Sequence, residues 1–139
     1  MRAIMDTNIL VSAFRSRRGA SFEVYQRLRA GAWTAVLSNH LLFEYEEVLK
    51  RDAPTLGLSL EEVDELLNAI CARGEMWTLP HGWEPVLTDP DDEPMVELAW
   101  ESDARCIVTH NTRDLRPATR LGIEVLKPGD FLARLRASP

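Results

Sequence analysis

Acidic residues of this chain stand where predicted strands end, a position at which a carboxylate can bind a ligand or a metal ion. Asp6 ends an apolar strand predicted over residues 2–6, and Asn111 and Asp114 follow another strand predicted over residues 105–109. In open α/β sheets, the carboxyl ends of the strands form the edge where ligands bind. We therefore expect these side chains at one edge of one sheet.

Two further acids are assigned by their positions on predicted helices. With about 100° of rotation per residue, Glu44 lies at the border of an apolar helical stripe, and Glu47 lies nearly opposite to it. The stripe comprises Leu41, Leu42, Tyr45, Val48 and Leu49. On the next acidic helix, Asp92 shares the apolar face, whereas Glu93 points well away from it. We expect Glu44 and Asp92 to reach a cleft beside the sheet.

Each acid also has an ordinary structural explanation. Asp6 could cap the first helix and Asp92 a later one, while Glu44 could be an exposed surface acid. The combination is harder to explain in this way, because four carboxylates on one sheet edge repel one another unless a cation lies between them. Oxygen ligands favour Mg²⁺ or Mn²⁺ over Zn²⁺, and the three histidines are scattered along the chain.

Length and composition indicate a single soluble domain over residues 1–139. Apolar residues make up 45% of the chain and charged residues 27%, which is ordinary for a globular domain. No apolar run approaches the roughly 18 residues of a membrane span, and the N-terminus shows no export signal. We expect a cytoplasmic protein in which Cys71 and Cys106 are buried free thiols.

The formal net charge of −6 argues against a protein that coats nucleic acid, since such proteins are usually basic. It does not exclude a nuclease that gathers carboxylates around a divalent metal ion. The basic residues form two clusters, which are Arg15, Arg17 and Arg18, and Arg113, Arg116 and Arg120. Solvated surface arginines and phosphate-binding arginines are equal alternatives for each of them.

Short apolar segments alternate with amphipathic segments along the whole chain. Strands are predicted over residues 2–6, 33–37, 75–79, 105–109 and 123–126. Helices are predicted over residues 7–14, 19–31, 39–49, 60–74 and 94–103 and from residue 128, with a loop over 51–58 and a polar turn over 111–121. This alternation predicts a three-layer α/β/α sandwich around a central, mostly parallel sheet of about four to five strands.

In four segments the chain resembles the PIN domain ribonucleases, most closely the PIN-family toxins of toxin–antitoxin systems, which are related to VapC toxins. The segments are residues 5–14, which begin Met5-Asp6-Thr7-Asn8, and residues 38–49, 89–99 and 107–115. Together they span nearly the whole chain in the order of the family. The resemblance implies a PIN fold and a metal-dependent endoribonuclease that uses Mg²⁺ or Mn²⁺.

The resemblance also assigns roles to individual residues. The acidic positions of the family fall on Asp6, Glu44, Asp92 and Asp114. Many members carry the fourth acid directly after the fourth strand, where this chain has Asn111, so the role passes to Asp114 as in members with an Asn-Thr-Arg-acid pattern. Groups expected to support the acids or to contact the substrate are Thr7, Asn8, Thr109, Asn111, Arg15 and Arg113. The resemblance further implies an RNA substrate, a cognate antitoxin protein and a homodimer. The four tryptophans fit an exposed interface and burial in the monomer core equally well.

Two other readings compete with the nuclease. A phosphatase of the haloacid dehalogenase type also places an Asp after its first strand, but it needs a second acid where this chain has Asn8. It also needs a lysine near the phosphate, and neither Lys50 nor Lys127 follows a fitting motif. The remaining alternative is a catalytically silent PIN module that binds RNA or a protein partner, which Asn111 keeps open.

Overall fold

The computed structural model describes residues 1–80 and 82–137, and their strands form one parallel sheet. The strands are β1 (Arg2–Met5), β2 (Thr34–Leu37), β3 (Gly74–Met76), β4 (Cys106–Val108) and β5 (Glu124–Leu126). Their order is β3-β2-β1-β4-β5, and every neighbouring pair is parallel. The predicted parallel sheet is confirmed, and its central strand is β1, the strand that leads to Asp6.

The helices cover both faces of this sheet, which confirms the predicted three-layer α/β/α fold. They are α1 (Thr7–Arg15), α2 (Ala20–Arg29), α3 (Asn39–Leu56), α4 (Leu60–Ala72), α5 (Glu93–Glu101), α6 (Thr112–Leu115) and α7 (Pro128–Ala137), with a 3-10 helix at Arg116–Leu121. Helices α1 to α4 pack against one another, whereas α5 packs on β1, β2 and β4. Within the described residues, no helix combines the length and apolar character needed to cross a membrane.

Helix α3 is longer than the sequence pattern predicts. The loop expected over residues 51–58 is wrong for its first part, because α3 continues to Leu56 and contains Pro54. Ala53 and Leu56 are buried in the core, and this apolar contact offsets the hydrogen bond that proline cannot donate. The helix ends at Gly57, whose φ of 69° is the left-handed conformation that glycine adopts readily.

The following helix begins as the sequence predicts. Ser59 accepts a hydrogen bond from the Glu62 backbone N–H at 3.0 Å, and the Glu62 side chain accepts one from the Ser59 N–H at 3.0 Å. This reciprocal capping box fixes the start of α4. The polar turn expected over residues 111–121, for which the sequence allows one helical turn, contains that turn as α6 and continues in the 3-10 helix.

The two cysteines differ in their surroundings. Cys106 on β4 is buried, and burial raises the pKa of its thiol to about 12, so this thiol is unreactive at neutral pH. Cys71 is also a free thiol, but it is exposed near the end of α4. The expectation that both are buried is therefore wrong for Cys71, whose position falls on the outward side of an amphipathic helix.

Candidate active site

Asp6 lies at the carboxyl end of the central strand and directly before α1. Only 8% of the residue is exposed, and this burial raises the pKa of its carboxyl above the usual range. The Thr109 hydroxyl opposes the shift by donating a hydrogen bond to Asp6 Oδ2 at 2.8 Å. The nearby N–H groups of Thr7 and Asn8 also lower the pKa, but no capping bond of normal geometry forms. The Asp6 carboxylate is therefore not used to cap α1.

Thr109 joins the loop after β4 to the loop after β1. It is fully buried, and its Oγ1 accepts hydrogen bonds from the Asn111 backbone N–H at 2.9 Å and from Asn8 Nδ2 at 3.4 Å. The Asn8 side chain in turn accepts a bond from the His110 N–H at 3.2 Å. Since each group has a partner, this network fixes the orientation of the Asp6 carboxyl relative to the sheet edge.

Glu44 is brought towards Asp6 by the packing of α3 against β1. Tyr45, the next residue, is fully buried and donates a hydrogen bond from its hydroxyl to the Met5 carbonyl. Burial raises the pKa of the Glu44 carboxyl, the neighbouring Thr7 hydroxyl lowers it, and the charge of Asp6 raises it further. The two carboxylates are thus close enough to repel each other, as the helical position of Glu44 predicts.

Asp92 precedes α5 and lies partly buried among other acids. Its side chain does not cap that helix. Burial is the main cause that raises its pKa from 3.8 to about 6, and the charges of Asp6, Asp89, Glu44 and Asp114 raise it further. Asp89 belongs to the same turn as Asp92, but the other three neighbours come from three distant segments, so the fold gathers acids that are far apart in the sequence. The cluster contains all four of the acids singled out from the sequence.

Asp114 and Asn111 form a pair at the outer side of this cluster. Asp114 is exposed on α6, and its Oδ2 accepts a hydrogen bond from Asn111 Nδ2 at 3.1 Å. Asn111 is held from the other side through its backbone bond to Thr109. The asparagine therefore links the fourth acid to the network around Asp6.

A cleft of about 570 Å³ opens beside Asp6 and Glu44. Arg15 lines this cleft, as do Arg51 and His110, which sequence reasoning missed. Arg51 is paired with the neighbouring Asp52 at 3.1 Å. The ring nitrogen Nε2 of His110 is 2.8 Å from the Ser21 hydroxyl. The sequence carried one signal for His110, which directly follows Thr109 after the fourth strand.

The two arginines selected from the sequence have different positions. Arg15 is exposed at the end of α1 and borders the cleft. Arg113 is exposed on α6, next to Asp114, and it is not among the described residues that line that cleft. The structure therefore brings Arg15, but not Arg113, to the cavity beside Asp6.

The contacts of Glu93 are not predicted from the sequence. Helical geometry directs this side chain away from the proposed cleft, and it is not among the described residues that line the cleft. Only 8% of the residue is exposed, however. Its Oε2 accepts a hydrogen bond from Trp83 Nε1 at 2.9 Å, and its Oε1 accepts bonds from the backbone N–H groups of Val86, at 2.7 Å, and Leu87. A helical wheel misses these contacts because they come from a preceding loop that turns back onto the helix.

The donor set fits a hard divalent cation. The four acids offer only carboxylate oxygens, which suit Mg²⁺ or Mn²⁺. Thr7 Oγ1 is buried and without a hydrogen-bond partner of normal geometry in the described chain, although it lies near Glu44. Such an orphaned hydroxyl at the site could bond to a water held by a cation. Within residues 1–80 and 82–137, no group of three or more His, Cys, Asp or Glu side chains is arranged to hold a metal ion.

Comparisons with known proteins identify the family. Residues 2–113 match the sequence model of a family described as PIN domain, and no curated protein matches the chain. A chain in the crystal structure of VapBC2 from Rickettsia felis, bound to a DNA fragment from their promoter, has a similar fold. The TM-score is 0.61, with 91% of this chain and 98% of that chain covered and 16% sequence identity. Since the family model covers most of its length, the chain belongs to the PIN domain family.

Proposed function

We propose that this chain is a Mg²⁺- or Mn²⁺-dependent endoribonuclease and acts as the toxin of a toxin–antitoxin pair. PIN domain proteins are generally nucleases that use divalent metal ions. The observation that carries the proposal is the crowding of carboxylates around Asp92. Burial raises the pKa of Asp92, and the charges of Asp6, Glu44 and Asp114 raise it further. A bound divalent cation would relieve this repulsion, and cation binding would explain why the fold brings these carboxylates together.

In this proposal the four acids would bind the cation in different ways. Asp6 and Asp92 would hold the cation directly, and Glu44 and Asp114 would hold it through water or share a second ion. When bound, the cation would supply an acidified water for attack on phosphorus and would offset negative charge on the phosphate. Thr109 would keep Asp6 in place, because its hydroxyl already donates to that carboxylate.

The cleft beside Asp6 and Glu44, which neither Asp92 nor Asp114 lines, supports a phosphate-containing substrate. Arg15 brings a guanidinium to its rim, and guanidinium groups bind phosphate oxygens in a bidentate manner. Arg113 is adjacent to Asp114 and would contact the RNA backbone on the other side of the cluster. The acidic net charge of −6 makes these local arginines more important, since the chain as a whole repels RNA.

The partner proposal rests on the resemblance in fold. The similar chain comes from VapBC2, which was crystallised on a DNA fragment from their promoter. We infer by analogy that this chain associates with a cognate antitoxin. Co-expression with the product of an adjacent gene, followed by co-purification and loss of RNA cleavage, would support this part of the proposal.

Cleavage of a generic RNA tests the catalytic part directly. We expect cleavage by the full chain with Mn²⁺, none with EDTA, and none by Asp6→Asn under either condition. Glu47→Gln is the matched control, because Glu47 is an exposed acid on the same helix as Glu44, and it should cleave like the parent. Equal cleavage by the parent and Asp6→Asn would show a contaminating nuclease and would defeat the proposal.

The second candidate is a catalytically silent PIN module that binds RNA or a protein. One observation favours it, which is that the Asn111 amide engages the Asp114 carboxylate at 3.1 Å. If the parent binds RNA but does not cut it at any Mn²⁺ concentration, this candidate replaces the nuclease.

A further inference from the structure

The segment that carries Asp92 has little regular structure of its own. Between β3 and α5, which begins at Glu93, the described residues 77–80 and 82–92 form no helix or strand. Residues 88–92 form a turn that is exposed except at the partly buried Asp92, and in it the Asp89 carboxyl accepts a hydrogen bond from the Asp91 N–H at 2.9 Å. A turn of this kind has many accessible conformations unless its two ends are tied together.

Glu93 ties those two ends together. It is the residue that follows the turn, and its carboxylate accepts the backbone N–H of Leu87, the residue that precedes the turn. The same carboxylate also accepts the Val86 N–H at 2.7 Å and the Trp83 indole N–H at 2.9 Å. One buried side chain thus closes the base of the turn and anchors the approach to it.

The turn needs this anchor because its own carboxylates lie near the carboxylates of other segments, and these negative charges repel one another. Asp89, Asp91 and Asp92 lie within it or at its end. The charges of Asp6, which follows β1, and of Glu44 on α3 act on Asp92. Repulsion would move an untethered turn away from the sheet edge. The bonds to Glu93 oppose that movement, since charge-assisted hydrogen bonds in a buried setting are strong and directional.

Building on the function proposed above, we propose that Glu93 is a positioning residue that sets the affinity of the acid cluster for Mg²⁺ or Mn²⁺. It does not contact the cation, because its carboxylate is occupied by three N–H donors. It acts by fixing where Asp92 stands relative to Asp6. This role differs from that of a general structural acid, because it predicts an effect on cation affinity in protein that remains folded.

Binding of Mn²⁺ alone to the full-length chain tests the inference. The free ion is measured by electron paramagnetic resonance for the parent, Glu93→Gln and Glu101→Gln, and circular dichroism monitors folding. We expect the dissociation constant of Glu93→Gln to rise roughly tenfold, the scale on which groups that orient metal ligands act. Glu101→Gln, which alters an exposed acid at the far end of the same helix, should bind like the parent.

A second readout separates positioning from direct coordination. Excess Mn²⁺ should restore the kcat of RNA cleavage by Glu93→Gln, whereas it should not restore cleavage by Asp92→Asn. Trp83→Phe removes one of the three donors and should also weaken Mn²⁺ binding, by a smaller factor than Glu93→Gln. This variant provides the test if Glu93→Gln does not fold. Unchanged Mn²⁺ affinity in folded Glu93→Gln, or in Trp83→Phe if only that variant folds, would overturn this inference alone. Absence of Mn²⁺ binding by the parent would overturn the proposed function as well.

Discussion

Asp92→Asn should stabilise the metal-free protein at neutral pH, even though it removes a proposed metal ligand. Burial and neighbouring acids raise the pKa of Asp92 from 3.8 to about 6 on folding. One pKa unit corresponds to about 1.4 kcal/mol, so a fully shielded carboxyl would cost about 3 kcal/mol when ionised. Asp92 is only partly buried, and solvent screening reduces the expected gain to about 1–2 kcal/mol.

The sign of the pH dependence follows from the raised pKa. Above pH 6 the carboxyl is ionised in both the folded and the unfolded chain, and the folded chain carries the full penalty. As the pH falls from about 6 to about 3.8, the folded carboxyl takes up a proton first and the penalty disappears. The stability difference between Asp92→Asn and the parent should therefore be largest at pH 7 and close to zero near pH 4.

Urea unfolding in EDTA, followed by circular dichroism from pH 4 to pH 8, measures this difference. Glu47→Gln provides the control and should show no comparable pH-dependent gain. Adding Mn²⁺ at about 100 times its dissociation constant should stabilise the parent by about 2.7 kcal/mol and Asp92→Asn by much less. A variant that is no more stable than the parent at pH 7, or equally more stable at pH 4, would refute the reasoning.

Three further predictions concern activity, stability and assembly. Glu44→Gln should lower Mn²⁺-dependent RNA cleavage by more than about 100-fold in a rate assay, and Asp114→Asn by less, because Asp114 is exposed. Glu93→Gln should lower the free energy of unfolding by about 1–3 kcal/mol in a urea titration, since it weakens buried hydrogen bonds. Light scattering at high micromolar concentration should give twice the monomer mass of 15.8 kDa, because Trp100 is 38% exposed and available to an interface; a monomer would refute the proposed homodimer.

Much of the fold is predictable because its signals are local. Apolar strands and amphipathic helices can be recognised from the spacing of their apolar residues. Ser59 and Glu62 mark a helix start that the structure confirms. The wheel position of Glu44 also predicts its approach to Asp6, since the buried Tyr45 fixes the rotation of α3. These features depend on residues near one another in the sequence.

The features that the sequence does not predict depend on tertiary contacts. Pro54 is a local signal for a loop, but burial of Ala53 and Leu56 keeps the helix intact. Glu93 has a wheel position well away from the apolar face, yet it is buried, and its hydrogen-bond donors come from a loop whose path no periodicity encodes. Tertiary contacts override local preference in both cases, and sequence patterns alone do not contain those contacts.

The central place of β1 has a consequence for the order in which parts of the acid cluster would come apart. A strand with neighbours on both sides exchanges its amide hydrogens only when the whole sheet opens, whereas a loop exchanges through local fluctuations. The Asp6 amide, bonded to the Val108 carbonyl at 3.0 Å, should thus be among the most protected, and residues 88–92 among the least. Mild heat or low denaturant would release Asp92 while Asp6 stays in place. Loss of the proposed nuclease activity would then precede unfolding and would reverse on cooling.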